Sequence, residues 1–337
     1  MQPNKASYPI SNIRSKMKKI VFCFLLNIIS IFSLFAFEIK NPQWIKKDES
    51  IIQSTLEFIN NKDFTDENIQ QLINQNKVID MESHNQGFGL QKYSGGLYGG
   101  YMSIYITYLA YNNEPLKIVF YTTQDDFNQI KKSINKKILK SFLKDFTLTK
   151  DFYDSDIYCK VFEFSDITKK FLEHKKELIG DIEDISFPKA YQKFYDYLFN
   201  CENEIHYGYI GGIAAEKPMG RKAMEELLKL NNKQVFINLL KGNNPCGRIY
   251  AAEGLLRLEN SQENVKTINS IFLPLIEEGI TYSTIGGCIV VSGVNYKLYE
   301  YDENLSYPEV DKMYQSVFAQ DIETESLEFD LDSIQNE

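Results

Sequence analysis

Two spacings of apolar residues alternate along the chain, one predicting helices and the other strands. Between 38 and 83, Ile51, Ile52, Leu56 and Ile59, then Ile69, Leu72 and Ile73, recur at helical spacing, as on a helix with one buried face. From 101 the spacing shortens: YMSIYITYLAY (101–111) and LKIVFYT (116–122) alternate and are rich in β-branched and aromatic residues. They flank NNEP, the composition of a tight turn, and so predict an antiparallel hairpin. Helical spacing returns with Phe127, Ile130, Ile134, Ile138 and Phe142, which predict one helix over 124–143 with Thr123 as its cap. FTLTK (146–150) and IYCKVFEF (157–164) read as two further strands. Residues 38–165 thus predict a small α+β domain, an antiparallel β-meander packed by a helix.

Beyond Ser165 the pattern is helical, with helices expected at 166–178, 188–200, 218–230, 232–241, 245–259 and 262–278. GITYSTIGGCIVVSG (279–293) reads as a loop or short strand. Within this half, P-M-G-R-K-A-M-E-E-L-L-K-L (218–230) matches P-C-G-R-I-Y-A-A-E-G-L-L-R-L (245–258). Pro218, Gly220 and Arg221 align with Pro245, Gly247 and Arg248. One inserted residue later, Ala223, Glu225, Leu227, Leu228 and Leu230 align with Ala251, Glu253, Leu255, Leu256 and Leu258. Pro suits a first helical turn, small Ala lets helices approach, and paired Leu bury against a neighbouring unit. The pattern resembles the short HEAT-like helical repeats of the phycobilisome-lyase type, over about 60 residues. It departs from them in lacking an acidic residue ahead of the Arg. The resemblance implies an α-solenoid over 166–299 that works as a protein-binding scaffold, and it carries over no catalytic residue.

Before residue 38 lies IVFCFLLNIISIFSLF (20–35), uncharged, preceded by Lys18 and Lys19 and followed by Ala36. A positive region, an apolar core and a small residue are the parts of a secretory signal, so residues 1–36 are expected to direct export to the periplasm or beyond. Retention as an outward-facing membrane anchor is the alternative, because the run is at the short edge of a bilayer span. Met17, heading MKK, is a candidate start.

Composition adds limits. Hydrophobic residues are 43% and aromatics 14%, enough to build cores. The net charge of −9 is not uniform. Residues 1–19 hold five positives and residues 300–337 hold twelve acids and one Lys, which leaves −3 on everything between. The tail from 300 therefore reads as an acidic segment without reason to pack. The near-neutral body does not favour nucleic acid as a partner, and another envelope protein is the expected one.

Candidate chemistry is sparse. The glycine run 95–100 has neither phosphate-loop spacing, and reads as a strand edge or bulge. His84, His174 and His206 do not pair at metal-ligand spacing, and GDIED (180–184) matches no Ca²⁺ loop, so neither a metal nor a cofactor is expected. His174, in a Lys/Glu-rich helix, reads as a surface residue. Lys131, Lys132, Lys136, Lys137, Lys140 and Lys144 read as a solvated helix face. No catalytic residue is assigned, and a non-enzymatic scaffold is the leading expectation. The alternative is an enzyme or inhibitor with a site near the glycine-rich sheet and His206. Cys246, at the start of the helix at 245–259, and Cys288, after the returning helix at 262–278, are expected to form a disulfide.

Overall fold

The structure, a computed structural model, describes residues 40–62, 64–75, 82–212 and 216–304. The leader, Met17 and the tail beyond 304 lie outside them. Among the described residues no helix is long and apolar enough to cross a membrane.

The chain begins with α1 (Pro42–Asn61), capped by the Asn41 side chain, and α2 (Asp66–Gln75). Six strands follow: β1 (Glu82–Gly87), β2 (Leu90–Tyr98), β3 (Ser103–Tyr111), β4 (Glu114–Thr123), β5 (Thr147–Lys150) and β6 (Asp156–Glu163). They form one antiparallel sheet in the order β1-β2-β3-β4-β6-β5. The two strands not foreseen are β1, whose sequence ESHNQG offers no apolar alternation, and β2, which contains the start of the glycine run.

The single helix expected over 124–143 is two, α3 (Gln124–Ile130) and α4 (Lys136–Asp145). Asn135 breaks it by turning extended and accepting the Lys137 amide, as an N-cap does. Its own amide is held by Glu49 of α1 at 2.7 Å. The apolar stripe survives the break, with Phe127, Ile130, Ile134 and Phe142 all buried. They pack with Ile51, Ile52 and Leu56 of α1 and Ile104, Ile106, Tyr108, Ile118 and Phe120 of the sheet. Each such side chain, fully buried, contributes roughly 1.5–3 kcal/mol.

The glycine run serves this packing. The turn at Gly99–Met102 wraps the carboxylate of Asp48, which is fully buried on α1. Asp48 Oδ1 accepts the amides of Gly100 (2.7 Å), Tyr101 (3.1 Å) and Met102 (3.2 Å). A Cβ on Gly99 would stand 2.0 Å from that oxygen, and one on Gly100 2.2 Å from Trp44 Cβ. The run is thus an anion-binding nest whose anion is the chain's own aspartate.

The remaining helices are α5 (Ser165–Ile179), α6 (Lys189–Phe199), α7 (Met219–Leu228), α8 (Lys233–Leu240), α9 (Pro245–Leu258) and α10 (Gln262–Glu277). All lie within a residue or two of expectation. Helix α9 packs on both α7 and α8, and α10 packs on α8 and α9. Across the α7–α9 contact, Arg221 of α7 forms a two-pronged bond with Glu253 of α9 at 2.8 and 2.9 Å, both side chains buried. Burial alone would raise the Glu253 carboxyl, but the hydrogen bonds and charge of Arg221 outweigh it and hold the group below the usual range.

These helices cover the opposite face of the sheet. Their core includes Phe88, Leu90, Leu109, Tyr111 and Leu116 from the strands and their turns. The β1–β2 turn drives this contact. Gly87, Phe88 and Gly89 all have positive φ, and Phe88 is fully buried. A Cβ on Gly87 would meet Leu275 Cδ2 of α10 at 2.5 Å. Arg248 of α9, itself buried, donates to Gln86 O in the same turn.

After α10 the segment expected as a loop or short strand forms a hairpin, β7 (Thr281–Gly286) and β8 (Ile289–Asn295). The structure does not bring Cys246 and Cys288 within bonding distance. The hairpin carries Cys288 to its exposed tip, whereas Cys246 stays buried beside Ser283, and both are free thiols.

Candidate functional site

A cleft of about 250 Å³ lies where the sheet, the segment 201–206, the start of α9 and the β7–β8 hairpin meet. Asn244 builds one corner. Its Oδ1 caps α9 by accepting the Gly247 amide at 3.0 Å, and its Nδ2 donates to the carbonyls of Asn200 (3.2 Å) and Asn203 (3.0 Å). Tyr250 fixes the next stretch, its hydroxyl donating to His206 O and accepting the Gly208 amide, each at 3.0 Å. The hairpin contributes an irregularity: its register shifts between Tyr282 and Thr284, opposite Ser292 and Gly293. Gly293 takes φ +80, and the shift re-aims the residues that line the cleft.

His206, singled out from the sequence, is in this cleft. Its Nδ1 is 2.8 Å from Ser283 Oγ, and its Nε2 is 3.6 Å from Glu204 Oε1. Ser283 Oγ also lies 3.3 Å from Ile205 O. Cys246 donates its thiol to Ser283 O at 3.3 Å, and burial pushes that thiol up, away from the thiolate a nucleophile needs. Glu204 is 83% exposed, which leaves the imidazole without a rigid carboxylate partner.

On the opposite wall stand Ser83, His84 and Lys92. Lys92 is only 9% exposed. Its Nζ donates to Glu202 O at 3.2 Å. Burial lowers the ammonium's pKa despite the attraction of the Glu202 and Glu204 carboxylates. A second cleft of about 540 Å³ adjoins the first through Asn203, Glu204 and His206, and runs under Tyr121 and the loop at Asp151–Tyr153.

Other expected residues fall elsewhere. The glycine run 95–100 lines neither cleft, so it does not meet His206 there. His174 is half-buried on α5 with its ring 5.7 Å from Tyr111, not the surface residue foreseen. Asp181 of GDIED pairs with Lys176 at 2.8 Å, and among the described residues no group of His, Cys, Asp or Glu is arranged to hold a metal. The sequence did not point to Ser283, Lys92 or Glu204, because their meeting joins segments as far as 191 residues apart.

The hairpin has a second surface. Residues 207–211 bridge to β7 on one side and β8 pairs with it on the other, so β8 is the outer strand. Ile289, Val290 and Val291 are 65%, 46% and 50% exposed on it. They continue into an apolar groove of about 470 Å³ lined by Tyr207, Tyr209 and Ile285. No protein-family model, curated protein or solved structure matches this chain.

Proposed function

We propose that the protein is an exported scaffold that binds another envelope protein, with the outer edge of β8 as its docking strand. The observation that carries this is the contrast among sheet edges. Edge strands are normally blunted by charge, Pro or polar sequence. β1 is wholly polar and β5 ends on Lys150, which pairs with Asp156. β8 instead presents Ile289, Val290 and Val291 in succession beside an apolar groove. An extended, β-branched segment of a partner would add to β8 through backbone hydrogen bonds and set its side chains against Tyr209 and Ile285. The packing of the two matched helices α7 and α9 on each other supports the HEAT-like reading, and α9 gives the hairpin a base. The uncharged run after Lys18 and Lys19 supports export, with a mature N-terminus near residue 37.

The test is a photo-crosslinking residue at Val290 in intact cells, compared with one at exposed Lys140. A discrete adduct at 290, lost in the Ile289→Lys/Val291→Lys double variant, is expected. Equal labelling at both positions, or adducts only between two copies of this chain, would overturn the reading.

A further inference from the structure

The cleft at His206 has a property that the docking reading does not use, and the inference from it stands independently of that reading. Its wall holds a buried ammonium without an ion-pair partner. Lys92 is 9% exposed, donates to one backbone carbonyl, and forms no ion pair among the described residues. The carboxylate of Glu202, its neighbour, is taken by Lys117 at 2.8 Å. Glu204, the single carboxylate on the described lining, sits exposed at the rim against His206. An ammonium has three donors, and a buried charge left uncompensated is costly. The surroundings are made of groups that favour a negative guest: the hydroxyls of Ser83, Ser283 and Ser292, the imidazole of His84, and the first turn of α9 at Cys246. That turn is the positive end of a 14-residue helix. The volume, about 250 Å³, equals that of roughly eight liquid water molecules, which suits a small ligand and not a polymer.

We propose that this cleft binds a small oxyanion, a carboxylate or phosphate group, held against Lys92 with Ser83, Ser283 and the start of α9 around it. The guest supplies the direct ion pair that Lys92 lacks among the described residues. Its site is roofed by Ser283 and Ser292 of the hairpin, so occupancy holds β7 and β8 against the sheet.

The experiment is titration calorimetry of the purified protein with inorganic phosphate and, separately, with citrate, each against sodium chloride at matched ionic strength. Saturable binding of phosphate or of citrate is expected, and which one binds identifies the group. Lys92→Met should weaken it by about tenfold or more, the loss of one charge-assisted contact, while Lys140→Met leaves it unchanged. In case Lys92→Met does not fold, amide NMR shifts of the unaltered protein supply the second reading, and they should move at residues 83–92, 203–206 and 244–246. Heat no different from the chloride control, unchanged affinity in Lys92→Met, or shifts spread over the surface would each overturn the proposal.

Discussion

Replacing Lys175 by Met should stabilise the protein most at neutral and lower pH. Lys175 is on α5 and 2% exposed. Its Nζ donates to Asn243 Oδ1 at 2.6 Å and faces the rings of Phe171 (5.4 Å), Phe199 (5.3 Å) and Phe88 (6.0 Å). Burial, with the charge of Arg248 on α9 as the smaller cause, lowers its pKa from 10.5 to about 7. The folded pKa lies below the unfolded one, so the unfolded chain binds the proton more tightly. The penalty is fully present below about pH 7 and is relieved as pH rises toward 10.5. At about 1.4 kcal/mol per unit, a shift of this size is worth on the order of 5 kcal/mol. Met keeps the aliphatic volume and removes the charge. Urea melts followed by far-UV circular dichroism at pH 6, 8 and 9.5 would measure the difference between the two proteins. It should be several kcal/mol at pH 6 and fall to roughly 1.5 kcal/mol at pH 9.5. A difference that stays constant within about 0.5 kcal/mol across that range, which is comparable to the ordinary error of such melts, would refute the reasoning.

Asp48→Ala should cost about 3 kcal/mol or more, since it strips three backbone amides of a charged acceptor; a change of urea midpoint corresponding to under 1 kcal/mol would show that water replaces it. Glu253→Ala should cost about 3–5 kcal/mol by stranding the buried Arg221 guanidinium, read in the same assay at pH 7. The Glu253 carboxyl is held low in the folded state, so its contribution is present above the ordinary carboxylate range and falls away as acid protonates it. Thiol titration of chain denatured without reductant should count Cys159, Cys201, Cys246 and Cys288 as free, and in the native protein exposed Cys288 should react first. Two missing equivalents would reinstate a disulfide.

The helices from 165 to 277 were legible because each carries its own apolar period and begins with a local signal, as Pro245 and Ser261 do. β1 was not, because an edge strand paired on one side has no need of apolar alternation. The break at Asn135 sat inside an unbroken apolar stripe, and only the Glu49 contact from a distant helix makes it visible. His206 could be singled out by its rarity and its tyrosine neighbours. Lys92 and Lys175 look like any surface lysine in sequence, and their burial is decided by segments that arrive much later in the chain. Cys246 and Cys288 lie apart in the structure for a local reason: the segment expected as a loop or short strand after α10 is a hairpin, with Cys288 exposed at its tip.

The β1–β2 turn sets a limit on how this gene could be cut or recombined. Phe88 is fully buried among helices that follow it, and Arg248 finds an acceptor at Gln86. A fragment ending near residue 165 would display an aromatic ring with nowhere to go. The complementary fragment would hold a guanidinium facing an empty socket. Neither half is therefore an exchangeable module. Shuffling either onto a foreign neighbour would require rewriting three residues, Gly87, Phe88 and Gly89, together with the surface of α9 and α10 that receives them.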